Sequence, residues 1–163
     1  ADNPQITEEN EDYHRFLTVL QRINTELSQK IVRDGEGATK FLEITIKHAA
    51  SFADAKKLAM GILTSSLVKT AFFGEDANWG RIVSAMGQTD VEFDPYRVDV
   101  FLGDLQVTAA GQGLVFDEEK AKSILSQKDI KILVDLQLGD ETVTAWGTDL
   151  SCDYVKINAS YRS

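Results

Sequence analysis

From Asn10 to Val32, apolar residues fall at Tyr13, Phe16, Leu20, Ile23, Leu27 and Ile31, a spacing that lines one face of a helix. Asn10 is a suitable N-cap, and Glu11 and Asp12 suit the positive end of the helix dipole. Gly35 marks a stop shortly beyond. The pattern then changes period: Leu42, Ile44 and Ile46 alternate with Glu43, Thr45 and Lys47, as in a half-buried strand. Ser51 and Asp54 resemble a capping pair, and Ala55, Leu58, Ala59 and Ile62 continue a second helix. Its small alanines suit close packing on a sheet. Leu67 to Phe73 reads either as a short strand or as a helix extension. Gly74 to Asn78 is a turn, with Asn78 capping a short helix through Trp79, Ile82, Val83 and Met86 that closes at Gly87.

The second half is richer in alternation. Residues 98–111 read as a hairpin around Gly103-Asp104, glycine standing first as a type II′ turn requires. Residues 134–147 repeat the pattern around Gly139-Asp140, with about nine of fourteen aligned positions identical. Between them Asp117 caps a short helix carrying Ala121, Ile124 and Leu125. The order β-β-α-β-β predicts a compact α+β lobe, so the chain as a whole is mixed α/β. In the tail, Tyr154, Val155, Ile157 and Tyr161 provide apolar anchors that an unattached terminus does not need.

Composition narrows the function classes. The 163 residues are 43% hydrophobic and 26% charged, as in a globular domain or one subunit of a larger assembly. A net charge of −9 disfavours binding to a phosphate backbone, which needs clustered Lys and Arg. Cys152 is the only cysteine, so no disulfide forms within the chain; it reads as structural and points weakly to a reducing compartment. No apolar run reaches the roughly 18 residues of a membrane span. The chain begins at Ala1 rather than methionine, which suggests a processed or incomplete segment.

Several chemistries lack their residues. His14 and His48 have no ligand spacing to each other or to Cys152, and both read as surface residues, so no metal is expected. No nucleophile elbow accompanies any Ser-His-Asp combination. Gly35-Glu36-Gly37 precedes a strand rather than a helix, and no Gly-Lys-Ser/Thr follows, so it is not a phosphate loop. Glu36 is the best ionisable candidate: a carboxylate on a glycine turn can pair with an ammonium group or shuttle a proton. A solvated connecting loop explains the same residues. A second polar cluster runs from Lys69-Thr70 to Gly74–Arg81, where the helix start at Asn78 and Trp79 offers N–H groups to an anion or forms a capped turn with a buried tryptophan.

Ile31-Val32-Arg33-Asp34-Gly35-Glu36-Gly37-Ala38-Thr39-Lys40-Phe41 and Leu67-Val68-Lys69-Thr70-Ala71-Phe72-Phe73-Gly74-Glu75-Asp76-Ala77-Asn78-Trp79-Gly80-Arg81-Ile82, with Ala145–Leu150 and Tyr154–Ser163, closely resemble the β chain of the ornithine acetyltransferases, or glutamate N-acetyltransferases, of arginine biosynthesis. The resemblance covers essentially the whole chain. It implies a layered αββα N-terminal-nucleophile-like body, shared with an α chain cut from the same precursor, typically as an α2β2 heterotetramer. Residues 1–90 would join that catalytic body, residues 91–150 would form a smaller α+β lobe, and residues 151–163 would return to the active site. A threonine freed by the cut takes acetyl from N-acetylornithine and passes it to glutamate; some members also accept acetyl-CoA, and no other cofactor is implied. Carried over residue by residue, the substrate-binding positions are Glu36, Asn158 and Ser163. Ser163 stands where the family usually has threonine, and it keeps the hydroxyl. The nucleophile belongs about fifty residues before Ala1, too far for Thr7 or Thr18 to match, and the oxyanion-hole donors belong to the α chain. No catalytic residue is therefore expected within these 163 positions. A non-catalytic binding module on the same fold, or a related acyltransferase of secondary metabolism, is the alternative. A bacterial cytoplasm is the default compartment, with the mitochondrial matrix for a fungal relative.

Overall fold

In the computed structural model, which describes residues 5–160, a six-stranded sheet packs one apolar face against four of the helices. The elements are α1 (Glu11–Arg33), β1 (Phe41–Ala49), α2 (Phe52–Thr64), α3 (Ser66–Phe73), α4 (Trp79–Gly87), a 3-10 turn (Pro95–Arg97), β2 (Asp99–Leu102), β3 (Leu105–Ala109), β4 (Gln112–Gly113), α5 (Glu118–Leu125), β5 (Asp129–Asp135), β6 (Glu141–Thr148) and α6 (Cys152–Ser160). Leu67–Phe73 is helical, which resolves the ambiguity of that segment. The local signals fall where expected. Asn10, Ser51, Asn78 and Asp117 each accept a bond from the backbone N–H three residues on, satisfying a donor that a helix start leaves free.

The strand order is β4-β3-β2-β5-β1-β6. β2 and β3 form the expected hairpin, with Gly103 at φ +57°. The second hairpin does not form. β1 lies between β5 and β6, parallel to the first and antiparallel to the second. The loop from Leu136 to Asp140 bridges the end of β1 instead of turning tightly at Gly139-Asp140. Leu138 and Gly139 donate their N–H groups to the His48 carbonyl, both at 2.8 Å. Passing over one strand requires about 10 Å, twice the inter-strand spacing, which a two-residue turn cannot reach. In consequence residues 91–150 do not make a lobe of their own. Their sheet incorporates β1 from the first ninety residues.

Alternation separates the two sheet faces. Leu42, Ile44 and Ile46 stand beside Ile130, Ile132 and Val134, and all six are essentially inaccessible to solvent. Ala55, Leu58, Ala59 and Ile62 of α2 pack into this core, while Val68, Phe72, Ile82 and Met86 of α3 and α4 extend it. A β-carbon on Gly147 would come within 2.7 Å of the Leu63 side chain, which shows how closely α2 approaches β6. The opposite face is more open and polar. Glu43, Lys131 and Trp146 form one row there, with the Trp146 indole N–H donating to Glu43 at 3.0 Å.

Two apolar segments stay uncovered, and the apolar anchoring expected of the tail is corrected. None of the α1 residues is buried, and Phe16, Ile23, Leu27 and Ile31 remain exposed, the last at 74%. The stripe has the helical period, but no described part of this chain covers it. In the tail, Tyr154, Val155 and Ile157 are likewise exposed, and attachment is polar instead. Tyr161 lies outside the described residues.

Candidate functional site

The loop between α1 and β1 is built to hold its conformation. α1 ends at Asp34, whose N–H bonds back to the Lys30 carbonyl while Gly35 N–H bonds to that of Val32, and Ala38 N–H closes a turn onto the Gly35 carbonyl at 3.0 Å. Gly37 sits at φ +66°, a backbone region that favours glycine. Arg33 lies over the Phe41 ring at 3.8 Å and bonds both oxygens of Asp129, anchoring the end of α1 to the start of β5. That hydrogen-bonded carboxylate raises the Arg33 pKa further above its already cationic range.

A second set of bonds fixes the loop to the end of β6. Asp149, only 3% exposed, accepts from the backbone N–H groups of Thr39 at 2.9 Å and Lys40 at 3.0 Å, and also bonds the Thr39 hydroxyl. Ser151, equally buried, donates to the Gly37 carbonyl and accepts from Tyr154 N–H at 3.0 Å, capping α6. Lys40 turns inward. Its ammonium donates to the Leu125 carbonyl at the end of α5 and lies 3.3 Å from Glu75. Loop, β6 and α6 are thereby one bonded unit.

This frame places Glu36 and Asn158 together. The Asn158 side-chain amide donates to Glu36 Oε2 at 3.0 Å and to the Tyr154 carbonyl at 2.9 Å. Glu36 itself is exposed at the edge of a cleft of about 340 Å³, whose walls include Gly35, Lys69, Thr148, Asp149 and Tyr154. A carboxylate held here accepts hydrogen bonds from a cationic group such as an amine. Ser163, the third expected binding residue, lies outside the described residues.

The other sequence candidates separate from this cleft. Asn78 accepts from Arg81 N–H and donates to Asp76 Oδ2 at 3.0 Å, so an acidic side chain already occupies the helix start. Asp76 and Glu118 line the adjoining hollow, which therefore repels an anion. The capped-turn reading holds, although Trp79 is half-buried against Gly113 rather than enclosed. His14 is exposed, His48 bonds Asp135 at 2.8 Å, and Cys152 is exposed at the first residue of α6. Among the described residues no group of three or more His, Cys, Asp or Glu is placed to hold a metal ion. Reading the sequence missed Asp149 and Ser151. Ser151 carried a signal, an N-cap residue directly before a helix; Asp149 carried none.

The chain is similar over its whole length to known proteins. The ArgJ family model matches residues 1–163. The chain is 48% identical over 163 residues to the arginine biosynthesis bifunctional protein ArgJ of Symbiobacterium thermophilum, and 44% identical over 167 residues to that of Thermotoga neapolitana. In both cases the match takes in 100% of this chain but only 40% and 42% of the relative, so the chain spans about two fifths of their length. A crystal structure titled as the ArgJ bifunctional protein of Bacillus halodurans superimposes with a TM-score of 0.93 at 40% identity, covering 98% of this chain and 76% of that one. A family match over every residue, with a shared fold at this identity, places the chain in the ArgJ family.

Proposed function

We propose that this chain supplies the substrate-holding part of an acetyltransferase that moves an acetyl group from N-acetylornithine to glutamate in arginine biosynthesis. The observation that carries this reading is the hydrogen bond between Glu36 and Asn158, 122 positions apart, at the edge of one cleft. Both residues were assigned to substrate binding by resemblance alone, and a chance resemblance has no reason to bring them into contact. Glu36 would hold a substrate ammonium group, with Asn158 fixing the direction of its carboxylate. The nucleophile would be a threonine on polypeptide outside this chain. Acetyl would pass to its oxygen, ornithine would leave, and the glutamate amine would then take the acetyl group. Acetyl-CoA would serve as an alternative donor.

A second polypeptide would complete the cleft, as an α chain from the same precursor in an α2β2 assembly. The uncovered stripe on α1 and the open face of the sheet support this, since both present surface that a packed neighbour would bury. The lengths support it too: the crystallised relative is covered to 76% and the curated relatives to about 40%, so the crystallised chain is much the shorter. No helix of the described residues is long and apolar enough to cross a membrane, and a bacterial cytoplasm is the proposed setting.

The test is acetyl exchange between ornithine and glutamate by the complete protein, followed by mass spectrometry. Glu36→Ala should lower kcat/KM by about two orders of magnitude, the scale expected when a positioning contact to a substrate is lost. Exchange at the normal rate by that variant would remove the role given to Glu36. Intact masses should reveal a β chain beginning at threonine with a co-purifying α chain.

A further inference from the structure

The charged groups around the cleft divide unequally. Asp149 has both oxygens engaged by Thr39 and Lys40, so it offers little to a ligand. Glu36 keeps one oxygen outside its bond to Asn158. In the same cleft, Lys69 of α3 is half-buried, and among the described residues no carboxylate lies within ion-pair distance of it. Its ammonium makes only a long contact of 3.4 Å to the Thr148 hydroxyl. The Thr148 methyl in turn lies against Gly35, at 3.2 Å from where a β-carbon would stand, so Lys69 reaches to the foot of the Glu36 loop. Lys69 is also fixed at its backbone, since its carbonyl accepts from Leu150 N–H at 3.3 Å. A half-buried ammonium without a counter-ion among the described residues, in the cleft that holds a carboxylate, is complementary to an anion joined to a cation.

We infer that Lys69 is the carboxylate-binding residue of the cleft, holding the α-carboxylate of the amino-acid ligand while Glu36 holds an ammonium group. The inference rests on the reading of the cleft as an amino-acid site. It adds a specificity element: the cleft should choose amino acids over amines of the same length. Ornithine and 1,4-diaminobutane differ by that one carboxylate, so the pair isolates the contribution of Lys69.

The experiment is calorimetric titration of the complete protein with ornithine and, separately, with 1,4-diaminobutane. The wild type should bind ornithine at least about tenfold more tightly. Lys69→Met should weaken ornithine to the level of the diamine and leave the diamine unchanged or slightly tighter, because a like charge is gone. Lys69→Arg should keep most of the preference. An ornithine preference that survives in Lys69→Met overturns the inference, as does an equal loss for both ligands, the mark of a merely structural lysine. Failure of the wild type to bind either ligand also overturns it. Loss of acetyl exchange with the preference intact would instead defeat only the proposed reaction, so the two failures are distinguishable.

Discussion

A β-carbon added to Gly37 would stand 2.6 Å from the backbone nitrogen of Tyr154. Gly37 is therefore where the Glu36 loop and the first turn of α6 touch backbone to backbone, and its φ of +66° adds a second reason for glycine. Gly37→Ala must both strain its own backbone and push α6 away. The expected cost is about 1–3 kcal/mol from the conformation alone, with the contact adding to it. The variant should lower the unfolding midpoint and speed hydrogen exchange in α6 more than in the β1–β5 core. Unchanged protection of α6 would mean that the helix does not depend on this contact.

Asp149 joins the same loop to β6 through two backbone N–H groups and a hydroxyl. Removing the carboxylate leaves the Lys40 N–H unmet in a buried place and the Thr39 donors unmet in a partly buried one. Asp149→Ala should lose about 2–3 kcal/mol, the scale expected for one buried and one partly buried donor orphaned with a charged acceptor lost. Asp149→Asn keeps one carbonyl oxygen and should lose about half as much. Denaturant unfolding of both variants gives the comparison, and equal losses would mean that packing rather than hydrogen bonding holds the loop.

The parts of this structure set by neighbours in sequence could be read from it. The caps at Asn10, Ser51, Asn78 and Asp117 each depend on a donor three residues away, and the β2–β3 turn on a single glycine. Sheet order depends on pairings across much of the chain. β1 and β5 are both apolar on one face and can pair on either edge, so alternation alone did not show that β1 separates β5 from β6. The α1 stripe reported the helix correctly but not its burial, which depends on what lies against it. In the site, Glu36 stood out as a polar residue between glycines, while its meeting with Asn158 was accessible only through family resemblance. Asp149 looked like any surface carboxylate, because its partners are backbone N–H groups that every residue has. Lys69 was visible as part of a polar cluster, but its place in the Glu36 cleft depends on how α3 packs beside β6.

Thr108 in β3 is fully buried, and its hydroxyl has no hydrogen-bond partner among the described residues. An unmet buried hydroxyl keeps its desolvation cost with nothing to offset it. Thr108→Val has nearly the same shape, suits a strand and removes the polar atom. It should stabilise the protein by about 1 kcal/mol, seen as a higher denaturant midpoint with an unchanged slope. A lower midpoint would show that the hydroxyl does find a partner.

The turn between β2 and β3 is tied to α5 by Lys120, whose ammonium bonds Asp104 at 2.8 Å. That hydrogen bond, aided by charge attraction, holds the Asp104 carboxyl below its ordinary value of 3.8. A lowered folded pKa means that the unfolded chain takes up its proton first as the solution is acidified. The pair's contribution is therefore complete above about pH 4, declines below it, and is gone once the pH passes the folded value. Lys120→Met should return Asp104 to the ordinary carboxylate range, measured by NMR titration of its side-chain carbon. Both side chains are exposed, so added salt should narrow the difference between wild type and variant. An Asp104 titration identical in the two proteins, at low salt, would show that the ion pair does not persist in solution.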